Sequence, residues 1–423
     1  MTGSEGLGEL RALGDRVREA WRAVAFDVER FAAVAFAALR DDPPCVEKIE
    51  WVELVREFMR WRDPPAQFAT RFGQPQITVY RHPRFYIEVL FWMDGAPEIH
   101  RHNFHGAFQV LAGSSLHVRH GFTVDRQVSQ ALLLGEARVE SLQVLRPGDT
   151  VAIDGARLVH SLYHLERPSV TLVVRTSAGF AGPQYSYLPP HVAYDPFLHD
   201  PTLDKQLEVL ALLRRAAPAE HVAMLVEFAG REDLYGLLRA LIEGGAHLEE
   251  AGTLAPVLAA GRAVNGEAMD RVAASLARRW WEMDLVLRRA RVPTPDHRFL
   301  LGLLAALPDA ESIRAQVASR TGGDPCAAIM GWIRELARTG PDGSLELLGV
   351  RVTHTGTAYA DRFGARLGEA FLAVFEGLLR GRTEAEVVAT LCTRWPALTP
   401  AQAERVLVSW APLRGSAFRP LLR

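Results

Sequence analysis

The sequence has few residues that can cross-link it. Three cysteines occur in 423 residues, at Cys45, Cys326 and Cys392, and they are far apart with no CxxC pair. This spacing argues against a disulfide framework and against a structural zinc knuckle. The chain must therefore depend on an apolar core, which 48% hydrophobic residues are sufficient to build.

An excess of one charge and long apolar runs are also missing. The chain has 48 basic and 50 acidic residues, and only Lys48 and Lys205 are lysines. No basic excess is present to attract a nucleic acid or an anionic membrane. The apolar run Phe31–Leu39 is about half as long as a membrane span, and the first residues lack the apolar segment of a signal peptide. We expect a soluble cytoplasmic protein with no nucleic-acid or membrane partner.

The periodicity of the apolar residues divides the chain into three regions. Residues 1–70 and 200–423 show helical spacing. Residues 75–190 instead contain short runs of period two separated by Gly, Pro and Asp, which is typical of a sandwich or small barrel. The sequence thus predicts an α+β protein with N-terminal helices, a central β-barrel and a large C-terminal all-α region. The sequence of that last region contains no metal-binding spacing, Gly-rich phosphate loop or nucleophile elbow. Helices that flank a barrel commonly form a lid or a homodimer surface.

Histidines are concentrated in the β region, where seven of the fourteen lie between positions 100 and 164. His100 and His102 are two residues apart on a predicted strand, so they share a face and can bind one metal ion together. Two Gly-containing turns predict a hairpin that returns His160 to the same place. These three residues are the predicted metal ligands. His117 and His120 lie on another strand, and we expect them at solvated positions.

These segments resemble the paired motifs of the cupin superfamily, whose fold is a small double-stranded β-helix or jelly-roll barrel. The two family motifs read G-x5-H-x-H-x3,4-E-x6-G and G-x5-P-x-G-x2-H-x3-N. The matching positions are Gly95, His100, His102 and Gly113 in the first, and more loosely Gly148, Gly155 and His160 in the second. The resemblance covers roughly a quarter of the chain, and it implies a cupin-like barrel with a metal bound to the histidines.

The sequence departs from the family pattern at two positions. Gly106 stands where the family has a glutamate ligand, and His164 stands where it has an asparagine. A glycine at the first position resembles the three-histidine cupins, which are thiol, gentisate-type and diketone-cleaving dioxygenases. His105 adjoins the vacant position and is a candidate for a replacement ligand or a supporting group.

Three neutral imidazoles favour a particular chemistry. They leave a divalent metal its full charge and open coordination positions, so a small anionic substrate can supply the missing negative ligand. Sites rich in nitrogen and partly open suit non-haem Fe(II), although Zn, Mn, Ni and Cu are alternatives. The expected reactants are therefore O2 and a thiolate, an enolate or an α-hydroxy carboxylate.

Polar residues of the same region are candidates for orienting that substrate. We predict His164, Tyr163, Arg175 and Gln109 as catalytic residues. Arg175 lies on a predicted strand, where its guanidinium can hold a carboxylate through two parallel hydrogen bonds.

Three functions are compatible with this pattern. The first is a metal-dependent dioxygenase. The second is a non-catalytic barrel that binds or senses a small molecule, with the helices contacting a partner. The third is a metal-dependent isomerase or lyase in which His105 or His164 carries a proton. Product formation without oxygen would separate the third from the first.

Overall fold

The computed structural model describes residues 5–41, 49–68, 73–93, 98–179, 182–292, 294–339, 367–408 and 418–422. Gly95, the first glycine of the predicted metal motif, lies outside these ranges. The chain forms two compact units, Met1–Trp280 and Trp281–Arg423. The architecture is a mixture of α and β structure with a β-barrel and many helices, as the sequence predicts.

The first unit contains three N-terminal helices, eleven strands and a further set of helices among the described residues. The N-terminal helices are α1 (Glu5–Ala23), α2 (Phe31–Arg40) and α3 (Trp51–Arg60). The strands are β1 (Gln76–His82), β2 (Phe85–Trp92), β3 (Ile99–Arg101), β4 (His105–Ala112), β5 (Ser115–Gln127), β6 (Leu132–Leu145), β7 (Thr150–Asp154), β8 (Val159–His164), β9 (Ser169–Thr176), β10 (Ser186–Leu188) and β11 (Val192–Tyr194). The helices that follow are α4 (Pro201–Ala216), α5 (Pro218–Ala229), α6 (Leu234–Glu250), α7 (Leu254–Asn265) and α8 (Ala268–Arg289), and the boundary between the units falls within α8.

The strands form two sheets of antiparallel neighbours. The first sheet has the order β1-β2-β9-β4-β7. The second has the order β10-β11-β6-β5-β8-β3, and it closes on itself because β3 also pairs with β10. Side chains from both sheets line one internal cavity. The barrel therefore brings together residues that are far apart in the sequence.

The first sheet is covered on both faces, which explains why every residue of β2 except Trp92 is buried. Successive side chains of a strand point to opposite faces. On β2, β4 and β9, one set of alternate residues packs against the N-terminal helices. The other set faces the cavity. The helix-facing set includes Ile87, Ala107 and Val174, and the cavity-facing set includes Leu90, Phe108 and Val173.

The helices on either side of the barrel are amphipathic. On α1, the buried residues Leu10, Leu13, Val17 and Trp21 recur at helical spacing and pack towards the first sheet. Apolar residues of α4 to α8 form another core with β6, β10 and β11, in which Leu132 and Val192 are fully buried. The barrel is thus supported from two sides.

The second unit is helical over its described residues. Its helices are α9 (Pro295–Ala306), α10 (Ala310–Thr321), α11 (Pro325–Thr339), α12 (Leu367–Leu379), α13 (Glu384–Arg394) and α14 (Pro400–Val408). The aromatic rings of Phe375 and Phe418 pack edge to face with centroids 5.0 Å apart. Among the helices described here and in the first unit, none combines the length and the apolar character needed to cross a membrane.

Candidate metal centre

Three histidines meet on the cavity side of the second sheet. His100 lies on β3, and His102 follows two residues later on the same face. His160 lies on β8, directly opposite His100 in the antiparallel β3–β8 pair. One ring nitrogen from each of the three lies within 4.8 Å of the others. The structure therefore brings together the three residues that the sequence selects as metal ligands.

The hydrogen bonds of His100 fix which of its nitrogens faces the cavity. Its Nδ1 lies 2.9 Å from the backbone carbonyl oxygen of Glu98. A carbonyl only accepts, so Nδ1 must be the donor and Nε2 keeps its lone pair. That Nε2 is buried and has no hydrogen-bond partner among the described residues. An unpartnered buried acceptor beside two other imidazoles is the arrangement that a metal ion would satisfy.

The other two imidazoles also direct nitrogens at one another. The Nε2 atoms of His102 and His160 are 2.9 Å apart. Two ring nitrogens that share one metal ion through bonds of about 2.1 Å have a similar separation. In the metal-free protein, one of these nitrogens donates a hydrogen to the other. The donor set therefore suits a divalent metal.

Burial keeps these imidazoles neutral. It lowers the pKa of His100, and it lowers the pKa values of His102 and His160 well below the ordinary range. The neighbouring imidazoles add to this effect at His102 and His160. A metal binds the neutral ring, so protons compete only weakly with it near neutral pH.

His117 supports His160 from behind. Its Nε2 lies 3.0 Å from Nδ1 of His160, and its Nδ1 lies 3.5 Å from Nε2 of Gln143. The structure corrects the expectation that His117 and His120 are solvated, because they are only 1% and 8% exposed. Burial accordingly lowers the pKa of each to about 4. The pairing of β5 with β8, which the sequence does not show, puts His117 behind His160.

Replacing His117 by leucine is expected to weaken metal binding by about 10–100-fold, because the partner that holds a ligand imidazole in place strengthens its bond to the metal. The variant His117→Gln keeps a hydrogen-bonding group and should recover part of the loss. Affinity is measured by competition with a chelator. The matched control is His120→Leu, since His120 contacts Ser161 Oγ at 3.2 Å and not a ligand. Equal affinity in His117→Leu and the wild type would contradict this role.

The cavity in front of the histidines has a volume of ≈360 Å³ and mostly apolar walls. Trp92 and Phe108 are among these walls. His164 also lines the cavity, where its ring stacks on Trp92 with centroids 4.8 Å apart. Its Nδ1 is 2.9 Å from Ser115 Oγ. His164 thus presents an imidazole to a small space that can hold a substrate.

Arg175 is a cation that lines this cavity. Its Cζ lies 3.5 Å from the centre of the Phe104 ring, and the same ring contacts His102 with centroids 4.6 Å apart. The Nε of Arg175 is buried without a hydrogen-bond partner among the described residues. Burial lowers the pKa of its guanidinium, while Tyr86 and Glu88 act in the opposite direction. A largely buried cation with an unused donor attracts an anionic ligand.

Three predicted residues lie elsewhere. His105 and Gln109 point to the helix-facing side of β4, because they alternate with Gly106 and Phe108. His105 Nδ1 is 3.5 Å from Asp154, and Gln109 Nε2 donates to the carbonyl of Leu39 at 2.9 Å. The structure thus brings neither residue to the histidine cluster, and Gln109 instead connects β4 to α2.

Tyr163 lies between two cavity-lining residues of β8, Leu162 and His164. Its side chain therefore points to the other face of the sheet, where it is 5% exposed. This placement differs from the predicted catalytic position.

The glycine at position 106 is explained by close approach of a neighbouring strand. A Cβ built there would overlap the carbonyl oxygen of Val174. Gly106 pairs with Arg175, so both positions face the cavity. A glutamate ligand cannot be accommodated at position 106 without moving β9, and the three histidines are left as the donor set.

Glu88 is a cavity residue that sequence reasoning missed. It lies on β2, is 2% exposed and lines the cavity opposite the histidine strands. Burial raises the pKa of its carboxyl, although Arg175 and a hydrogen bond from Gln76 oppose the shift. The only signal in the sequence is a charged residue within the otherwise apolar run Phe85–Trp92, since such a residue is rarely buried without a partner.

Comparisons with known proteins give limited information. No model of a protein family and no curated protein matches the chain. A structure of the DMSP lyases RdDddP and RnDddQII is 16% identical, covering 40% of this chain and 95% of that one, with a TM-score of 0.22. A structure of Streptomyces albus HEPD with 2-hydroxyethylphosphonate and Fe(II) bound is 20% identical, covering 43% of this chain and 44% of that one, with a TM-score of 0.18. Likenesses at these TM-scores support no conclusion, so the case for a metal site depends on the histidine geometry.

Proposed function

We propose that this protein is a cupin-type metal-dependent oxygenase, most simply a dioxygenase, that acts on a small anionic substrate. The observation that carries the proposal is the buried Nε2 of His100, which is held as an acceptor and lacks a partner beside the ring nitrogens of His102 and His160. These three residues would hold the metal. The partly open, nitrogen-only donor set suits Fe(II).

A ferrous ion bound there would supply the redox chemistry for oxidation of the substrate by O2. The chain itself binds and orients the substrate. Arg175 holds the anionic group, and Phe104 keeps the guanidinium in place by stacking. The aromatic walls exclude water around the reacting atoms. His164 offers an imidazole that can give or take a proton at the edge of the cavity.

A direct experiment combines metal analysis with oxygen uptake. The protein is purified without oxygen, its metal content is measured, and it is then loaded with Fe(II) and offered small thiols, enols and α-hydroxy acids. We expect about one metal ion per chain and oxygen consumption that depends on one substrate class. A folded protein that retains no metal in excess Fe(II), or that consumes no oxygen with any of these anions, would overturn the proposal.

One observation favours a second candidate, a metal-dependent lyase or isomerase. His164 and Glu88 both line the cavity, and each can carry a proton. Such an enzyme would form its product in the absence of oxygen. The same substrates are therefore tested anaerobically, and product formed there identifies this second function.

A further inference from the structure

The cavity has a polar wall across from the histidines. Glu88 and Arg175 come from β2 and β9 of the first sheet, whereas the histidines belong to the β3–β8 side of the second. Glu88 pairs with Val173, and Arg175 is two residues further along the same face of β9. Residues so related are diagonal neighbours, about 7–8 Å apart at the backbone. An acceptor and a donor thus lie side by side on this wall.

Each group keeps hydrogen-bonding capacity for a ligand. Gln76 donates through Nε2 to Oε1 of Glu88, which leaves Oε2 of this nearly inaccessible carboxyl for another donor. The Nε of Arg175 has no partner among the described residues, and its Cζ lies over the Phe104 ring, 3.5 Å from the ring centre. Burying both groups is costly unless a ligand completes their hydrogen bonds.

We propose that Glu88 and Arg175 together form a recognition subsite for a small oxyanion that carries a hydrogen-bond donor on a neighbouring carbon. A 2-hydroxy or 2-amino carboxylate has this chemistry. Its oxyanion would bind the guanidinium, and its hydroxyl or ammonium group would donate to Glu88. The subsite rests on the proposed function only in taking this cavity as the substrate site. Glu88 then determines specificity, because it rejects acids that lack the donor.

The test compares two ligands that differ by one hydroxyl, 3-phenyllactate and 3-phenylpropionate. Their phenyl group suits a cavity walled by Trp92, Phe104 and Phe108. Binding is measured by titration calorimetry in the metal-free protein, so a failure of the metal proposal does not affect the result. We expect 3-phenyllactate to bind about tenfold more tightly or better, because a hydrogen bond to a charged group has that effect.

Substitutions at Glu88 test whether this residue causes the preference for 3-phenyllactate. Glu88→Met, which is similar in length but offers only a weak, uncharged acceptor, should bind the two ligands within about threefold of each other. Glu88→Gln keeps a neutral acceptor and should retain part of the preference. Glu140→Gln, on an exposed stretch of β6, is the matched control and should leave the preference unchanged.

The outcomes are distinguishable. Tighter binding of phenylalanine than of 3-phenyllactate, lost in Glu88→Met, supports the subsite and identifies the donor as an ammonium group. Equal binding of the two acids to the wild type overturns the proposal, as does an unchanged preference in Glu88→Met. Metal content, measured separately, decides the proposed function.

Discussion

Replacing His160 by alanine is expected to abolish stoichiometric metal binding. His160 is 2% exposed and contacts both His102 and His117 through its two ring nitrogens. Its loss removes one of the three proposed ligands and the imidazole that His117 supports. At a metal concentration 100 times the dissociation constant, binding stabilises the wild-type fold by about 2.7 kcal/mol. We expect this increment to vanish in the variant.

The increment is measured by chemical denaturation with and without Fe(II) under anaerobic conditions. Removing His160 also breaks two hydrogen bonds, which costs about 1–3 kcal/mol in the metal-free protein. For each variant, the unfolding free energy with Fe(II) is therefore compared with that of the same variant without Fe(II). The matched control is His247→Ala on α6, whose side chain is 68% exposed. The control should still bind the metal and should show the same stabilisation by Fe(II) as the wild type. A full increment in His160→Ala would show that these histidines are not the metal ligands.

Replacing Arg175 by glutamine is expected to weaken binding of a small carboxylate such as 3-phenyllactate by about 10–100-fold. A hydrogen bond to a charged group is worth about 1.5–3 kcal/mol, and 1.4 kcal/mol is a factor of ten. The unfolding free energy of the unliganded protein should change by less than about 1 kcal/mol, because losing the stacking on Phe104 is offset by removing a buried cation.

Titration calorimetry measures the affinity, and denaturation measures the stability. Arg157→Gln is the matched control, since this side chain is 82% exposed on the turn after β7. Arg175→Lys keeps the charge but not the two parallel donors, so it should fall between the wild type and Arg175→Gln. An Arg175→Gln protein that binds the carboxylate as tightly as the wild type would contradict an anchoring role.

The sequence was most informative where local rules decide the geometry. Alternation along a strand correctly put His100 and His102 on one face, and His160 does lie beside them. The predicted hairpin is wrong, however, because β7 pairs with β4 in the first sheet, whereas β8 pairs with β3 and β5 in the second. The same alternation applied to β4 would have separated His105 and Gln109 from the cavity-facing Gly106. That step depends on knowing which face of the strand is internal, and the sequence alone does not show it.

Other parts of the site depend on pairing between distant segments. His117 contacts His160 only because β5 and β8 pair in a particular register. Glu88 joins the cavity through the pairing of β2 with β9, outside both histidine motifs. Neither register is encoded in local spacing, so the sequence does not show that Glu88 faces the cavity or that His117 contacts His160.

The alternation of the first sheet has a consequence for how this protein can evolve. On β2, β4 and β9, neighbouring residues serve different purposes, since one set anchors the helices and the other faces the cavity. Selection for a new substrate can therefore change every second residue while the intervening ones keep the helices docked. Substitutions on the same three strands can therefore change substrate specificity without changing the packing of the helices.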